Sequence, residues 1–130
     1  MEILTPLQVN NLANNFLAIG NALGEFRYRN VNSLSDAQNR QLELLCGVIL
    51  KYADDSFTWS AQLVMEDARA SLSSLRKVTE KLKTTLKTLN DVQKGINTAT
   101  SAVIMGNAIL ARDPKRMANA LINLEKQLTG

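Results

Sequence analysis

The fold expected of this 130-residue chain is all-α: an up-down helical bundle of about four main helices plus a short C-terminal helix. Three observations predict it. Apolar residues recur at alternating three- and four-residue spacings along most of the length, no stretch alternates with the period of two that marks a strand, and helix-start residues precede the apolar stripes. At 45% hydrophobic and 21% charged residues the composition is that of an ordinary globular protein. A single domain over residues 1–130 is large enough to bury its own core without a disulfide or metal staple.

The first helix starts at Thr5-Pro6-Leu7-Gln8. Thr5 is a capping residue, Pro6 suits the first turn because its missing N–H would be unpaired there anyway, and Gln8 reaches back as in a capping box. Val9, Leu12, Phe16, Ile19, Leu23 and Phe26 then form one stripe, which fades between Tyr28 and Asn32. Two overlapping start signals follow, Ser33 with Asp36 and Ser35 with Gln38, before the stripe Leu42-Leu45-Ile49-Tyr52.

Between Val48 and Lys94 there is neither glycine nor proline, so phase alone locates the next boundary. The second stripe runs into Glu66 and Ser73, and a new one begins at Leu72, Leu75, Thr79, Leu82, Leu86 and Leu89. The break is therefore expected between residues 54 and 71, with Ala53 to Ser60 (ADDSFTWS) favoured because Asp and Ser compete for backbone hydrogen bonds. An uninterrupted helix is the competing expectation. Leu75, Leu82, Leu89 and Ile96 recur every seven residues, but Thr79, Gln93 and Thr100 interrupt the companion positions of a two-stranded seam. Asn90, Asp91 and Gly95 allow a kink or short turn, and Asp113-Pro114 starts a last helix carrying Met117, Leu121, Leu124 and Leu128.

The segment Ile96 to Ala111 carries no charge, yet its 16 residues include Asn97, Thr98, Thr100, Ser101 and Asn107. That is too short and too polar to span a bilayer. Small residues interleaved with Val103, Ile104, Met105, Ile109 and Leu110 instead predict a helix at the bundle centre, apolar nearly all the way round. The start of the chain, Met1-Glu2-Ile3, has no basic leader, and a cytoplasmic location is expected. Cys46 lies in an apolar run that predicts an inert core thiol with a raised pKa.

Several chemistries lack their residues. Without histidine there is no imidazole base, no Ser–His or Cys–His pair and no imidazole metal ligand. One cysteine cannot build a thiolate zinc site, and the acidic pairs Asp54-Asp55 and Glu66-Asp67 point to different sides of a helix. No phosphate-cradling glycine loop occurs. No catalytic residue, cofactor or metal is expected, and the chain is read as a non-enzyme that works by association, as a homo-oligomer or with a protein partner.

Charge locates that association. Residues 1–67 carry four basic and eight acidic side chains, a net −4, while residues 68–130 carry eleven and four, a net +7. Between Glu2 and Glu25 there is no charge at all, although Asn10, Asn11, Asn14, Asn15 and Asn21 make the outer face polar. Neutral surfaces desolvate more cheaply than charged ones, and interface cores are depleted of charge. Asn10, Asn14, Asn15 and Asn21, with Val103, Gly106 and Ile109 of the uncharged segment, are the interface candidates. Arg76, Lys83, Lys87 and Lys94 form a basic patch on one flank of the Leu75–Leu89 stripe. Glu80 sits among them with no aromatic interleaved, which favours a solvated or internally docked face over a phosphate track. Nucleic-acid association through this patch is the third reading. The second is a membrane-active component that uses residues 96–111, since a long charged helix followed by a small-residue apolar segment is similar to the general pattern of small helical pore-forming components.

Overall fold

The computed structural model describes residues 6–58, 69–111 and 114–129. Among these described residues five helices pack against one another: α1 (Pro6–Arg29), α2 (Asp36–Thr58), α3 (Arg69–Thr88), α4 (Val92–Leu110) and α5 (Pro114–Thr129), with one 3₁₀ turn at Val31–Ser33. No strand occurs among the described residues. At 16 residues α5 is the shortest helix, but it is a full member of the bundle, with Met117, Leu121, Leu124 and Leu128 all buried.

The order of packing differs from the order in the chain. α1 lies between α2 and α3, α4 lies between α2 and α5, and α5 closes onto α3, so the five helices form a ring across which α1 also touches α4. Directions follow from residues that meet. Arg27 near the end of α1 bonds Asn39 near the start of α2, and Gly20 faces Leu50, so α1 and α2 are antiparallel. Gly95 faces Phe26 and Gly106 faces Phe16, which sets α4 antiparallel to α1 as well. Arg29 reaches the end of α3, while Asn11 and Asn14 line a groove with Ser73 and Arg76, so α1 and α3 run the same way. The core comprises Leu12, Phe16, Ile19, Leu23 and Phe26 of α1 together with the stripes of the other four helices.

The starts of α2 and α4 have local causes. The Ser35–Gln38 signal prevails over Ser33–Asp36: the Gln38 N–H donates to Ser35 Oγ at 3.1 Å and the Ser35 N–H donates to Gln38 Oε1 at 2.9 Å, a reciprocal capping box. Asp91 caps α4 by accepting the Lys94 N–H at 3.0 Å, so the turn falls before Val92. Gly95 is therefore not a kink; it is a helical residue against which the Phe26 ring packs. Thr5 and Asp113, the expected caps of α1 and α5, lie outside the described residues.

The favoured break at Ala53 to Ser60 does not hold for its first six residues, since α2 continues through Thr58. Leu42, Cys46, Ile49, Ala53 and Ser56 form an unbroken buried stripe, while Asp54 and Asp55 sit on the solvated face. Polar residues that point outward leave a helix intact when the inward face stays in phase. Trp59 and Ser60, and the interval on to Ala68, lie outside the described residues.

Candidate association surfaces

α1 presents a ridge to solvent along Asn10, Asn14, Leu17, Asn21, Gly24 and Tyr28, spaced by four and three residues opposite the buried stripe. It stands between two grooves. Toward α3, one hollow of about 590 Å³ is lined by Asn11, Asn14, Asn15, Ser73, Arg76 and Glu80. A second, of about 480 Å³, has Asn21, Glu25 and Arg29 on one bank and Glu80, Lys83 and Lys87 on the other. The charge-free part of α1, up to Gly24, and the basic third helix, read separately from sequence, thus border the same groove, with Glu25 and Arg29 of α1 at its far end. Within it Glu80 lies 3.8 Å from Lys83, which dilutes the positive charge, and Lys81 lies 4.0 Å from Glu125 of α5.

Toward α2 the ridge borders a hollow of about 660 Å³ containing Gly20, Gly24, Tyr28, Glu43, Gly47 and Leu50. Tyr28, 83% exposed, and Leu50, 37% exposed, line it, while Leu44 at 70% and Leu17 at 39% are exposed elsewhere on α2 and α1. A Cβ placed on Gly24 or Gly47 would meet nothing within 4 Å. Both glycines are inside helices, where glycine costs about 1 kcal/mol relative to alanine, so contacts among the described residues give no reason for either. The Arg27 guanidinium links the hairpin at 2.7 Å to Asn39 Oδ1 and 3.4 Å to Glu43 Oε2.

The expected site residues separate into groups. Asn10, Asn14 and Asn21 are exposed on the α1 ridge, whereas Asn15 is half-buried and donates its amide to the Asn11 carbonyl at 2.9 Å. Val103 is half-buried against the core. Gly106 and Ile109 have no surface to contribute: Ile109 is fully buried, and Gly106 lies under Tyr52, where a Cβ would come within 2.5 Å of the ring. They join helices inside the bundle, and both are corrected from interface to core. The helix α4 is also not apolar all round, since Asn97, Thr100, Ile104 and Asn107 form an exposed strip. No helix among the described residues is long and apolar enough to cross a membrane.

The basic patch needs a similar correction. Arg76, Lys83 and Lys87 are exposed on α3, but Lys94 belongs to α4 beyond the Leu89–Asp91 turn and does not continue their row. Leu17, Gly24, Tyr28, Leu44, Gly47 and Leu50 were not legible as surface residues because a position off an apolar stripe does not by itself distinguish an open surface from one covered by a neighbouring helix. The available signal was Leu44 and Gly47, both out of phase with Leu42-Leu45-Ile49-Tyr52.

Burial pushes the Cys46 thiol above its ordinary value of 9.0, with Arg27 opposing, so it is a poor nucleophile at neutral pH. Tyr52 is also pushed above 10.0, by burial and then by the Asp55 carboxylate. No cluster of three or more potential metal ligands occurs among the described residues. Compared with family models, with curated proteins and with solved structures, the chain gives no significant match.

Proposed function

We propose that this protein is a non-enzymatic association module that acts through the outer face of the α1–α2 hairpin, binding a further copy of itself or a protein partner. The observation that carries the reading is the exposure of Leu17, Tyr28, Leu44 and Leu50 on α1 and α2 together with two helical glycines that no described residue occupies. Exposed apolar residues scattered singly are normal, but their grouping around open backbone is what a docked helix requires. The uncharged ridge from Asn10 to Gly24 lowers the desolvation cost of docking.

Light scattering coupled to size exclusion tests this on the intact chain and on Asn14→Lys combined with Leu17→Lys, both on the solvated ridge. The expected result is an associated parent and a variant of unchanged helicity that has lost the association. A variant that assembles as the parent does would overturn the reading.

A further inference from the structure

The outward face of α2 is palindromic about Gly47. Leu44 and Leu50 stand three residues to either side of it, Glu43 and Lys51 four residues, and Arg40 and Asp54 seven. At 100° per residue all six point within about 60° of the Gly47 direction. All seven residues are exposed, and open space lies above Gly47. The pattern is an odd one for a face that meets only water: leucines are matched with leucines, and each charge is balanced by its opposite at the mirror position.

We infer that α2 of one copy crosses α2 of a second copy in antiparallel fashion at Gly47, forming a two-fold homodimer. The inference rests on the association reading and specifies its partner as this same chain. When two helices run antiparallel through a common centre, residues equidistant from it on opposite sides lie level with one another. Leu44 then packs on the partner's Leu50, Glu43 faces the partner's Lys51, and Arg40 faces the partner's Asp54. A two-fold axis makes each contact occur twice. The absent Gly47 side chain lets the two backbones approach at the crossing, as at other close helix crossings built on small residues. Tyr28 and the α1 ridge flank this seat across the glycine-lined hollow.

The register is specified by charge. Sliding the second helix toward one end by a turn sets Glu43 against the partner's Asp55, and sliding it the other way sets Arg40 against the partner's Lys51. A parallel pairing sets each charge against its own copy. Only the Gly47-centred antiparallel arrangement satisfies both ion pairs and both leucine contacts, and like charges brought level are the means by which wrong registers are rejected.

The test is charge-swap complementation read by light scattering. The parent is expected at twice the 14.3 kDa chain mass. E43K and K51E are each expected to be monomers, because each sets like charges level across the two-fold, whereas their equimolar mixture regains the dimer with opposite charges opposed at both positions. G47Q, whose Cβ meets no described residue within 4 Å and whose longer side chain fills the crossing, is expected to be a folded monomer. Glu43 also pairs with Arg27, so if E43K fails to fold, R40E mixed with D54K replaces the pair. A monomeric parent, single variants that remain dimers, or a mixture that stays monomeric would each overturn the inference. An oligomer dispersed by the α1 ridge changes but indifferent to all the α2 changes overturns only this register and leaves the association reading standing.

Discussion

Gly95, one turn into α4, lies directly against the ring of Phe26 near the end of α1, close enough that a Cβ on residue 95 would overlap the ring carbons Cε1 and Cζ. Phe26 is fully buried and carries the Arg29 guanidinium 5.9 Å from its centroid, so a methyl at residue 95 has to displace the ring within a packed interior. The contact therefore sets how closely α4 approaches α1.

Gly95→Ala is expected to destabilise the fold by about 1–3 kcal/mol, the range for overpacking a filled core, despite the better helix propensity of alanine. Gly24→Ala, where the new methyl meets nothing, is expected to stabilise it by about 0.5–1 kcal/mol. Urea denaturation of the two variants beside the parent measures the difference, and equal midpoints for both would contradict the packing account.

Arg29 ties the ends of α1 and α3 together. Its guanidinium donates to the carbonyls of Leu86 and Lys87 in the last turn of α3, where a helix runs out of its own N–H donors, and to that of Leu89 just beyond the helix at 2.8 Å. Arg29→Met keeps the apolar stem over Phe26 but removes these bonds, with an expected loss of about 1–2 kcal/mol, at the low end for charged donors because the side chain is solvent-exposed. Lysine restores the charge without the planar fork and is expected to recover only part of the loss. Amide hydrogen exchange is expected to rise first at the last turn of α3.

Thr79 interrupts a leucine stripe; the residue is 1% exposed and its hydroxyl has no hydrogen-bond partner among the described residues. Valine has nearly its shape without the polar atom, so Thr79→Val is expected to be neutral or to stabilise by about 1 kcal/mol. Thr98 is equally buried but donates to the Lys94 carbonyl at 2.8 Å. Thr98→Val gives up that bond and is expected to gain nothing. Thermal melts of the two variants separate the cases.

Stability is expected to change little near neutral pH, where no histidine titrates. Above that range it falls. Cys46 and Tyr52 both have folded pKa values raised from 9.0 and 10.0. At a pH above the unfolded value the unfolded chain releases a proton that the folded chain retains, so stability is fully present below the unfolded pKa and is lost as pH rises toward the folded one. Cys46→Ala removes the lower step of this decline. Denaturant midpoints measured on either side of pH 9 provide the check, and a decline of the same shape in the variant would assign it to other groups.

Much of the fold was legible because helix phase is local. The stripes from Leu12 to Phe26 and from Met117 to Leu128 are buried as their spacing requires, and the Ser35–Gln38 capping box forms through bonds only three residues long, whereas Asp91, expected only as part of a kink or short turn, proves to be the cap of α4. The extent of α2 was less so: Asp54, Asp55 and Ser56 have turn-forming chemistry, and only the burial of Ala53 and Ser56 beneath neighbouring helices keeps the residues around them helical.

The sequence by itself determined that this protein is helical, roughly where its helices begin, and that its first half is acidic and its second basic. Only the tertiary structure decided which helices meet, because the pairing of stripes depends on shapes distant in the chain: Gly95 against Phe26, Gly106 beneath Tyr52, Arg29 across the end of α3. The same dependence reassigned Gly106 and Ile109 to the core, separated Lys94 from the α3 row and left Gly24 and Gly47 open. A glycine looks alike in sequence whether a ring fills the space above it or nothing does, and that space exists only once the helices have packed.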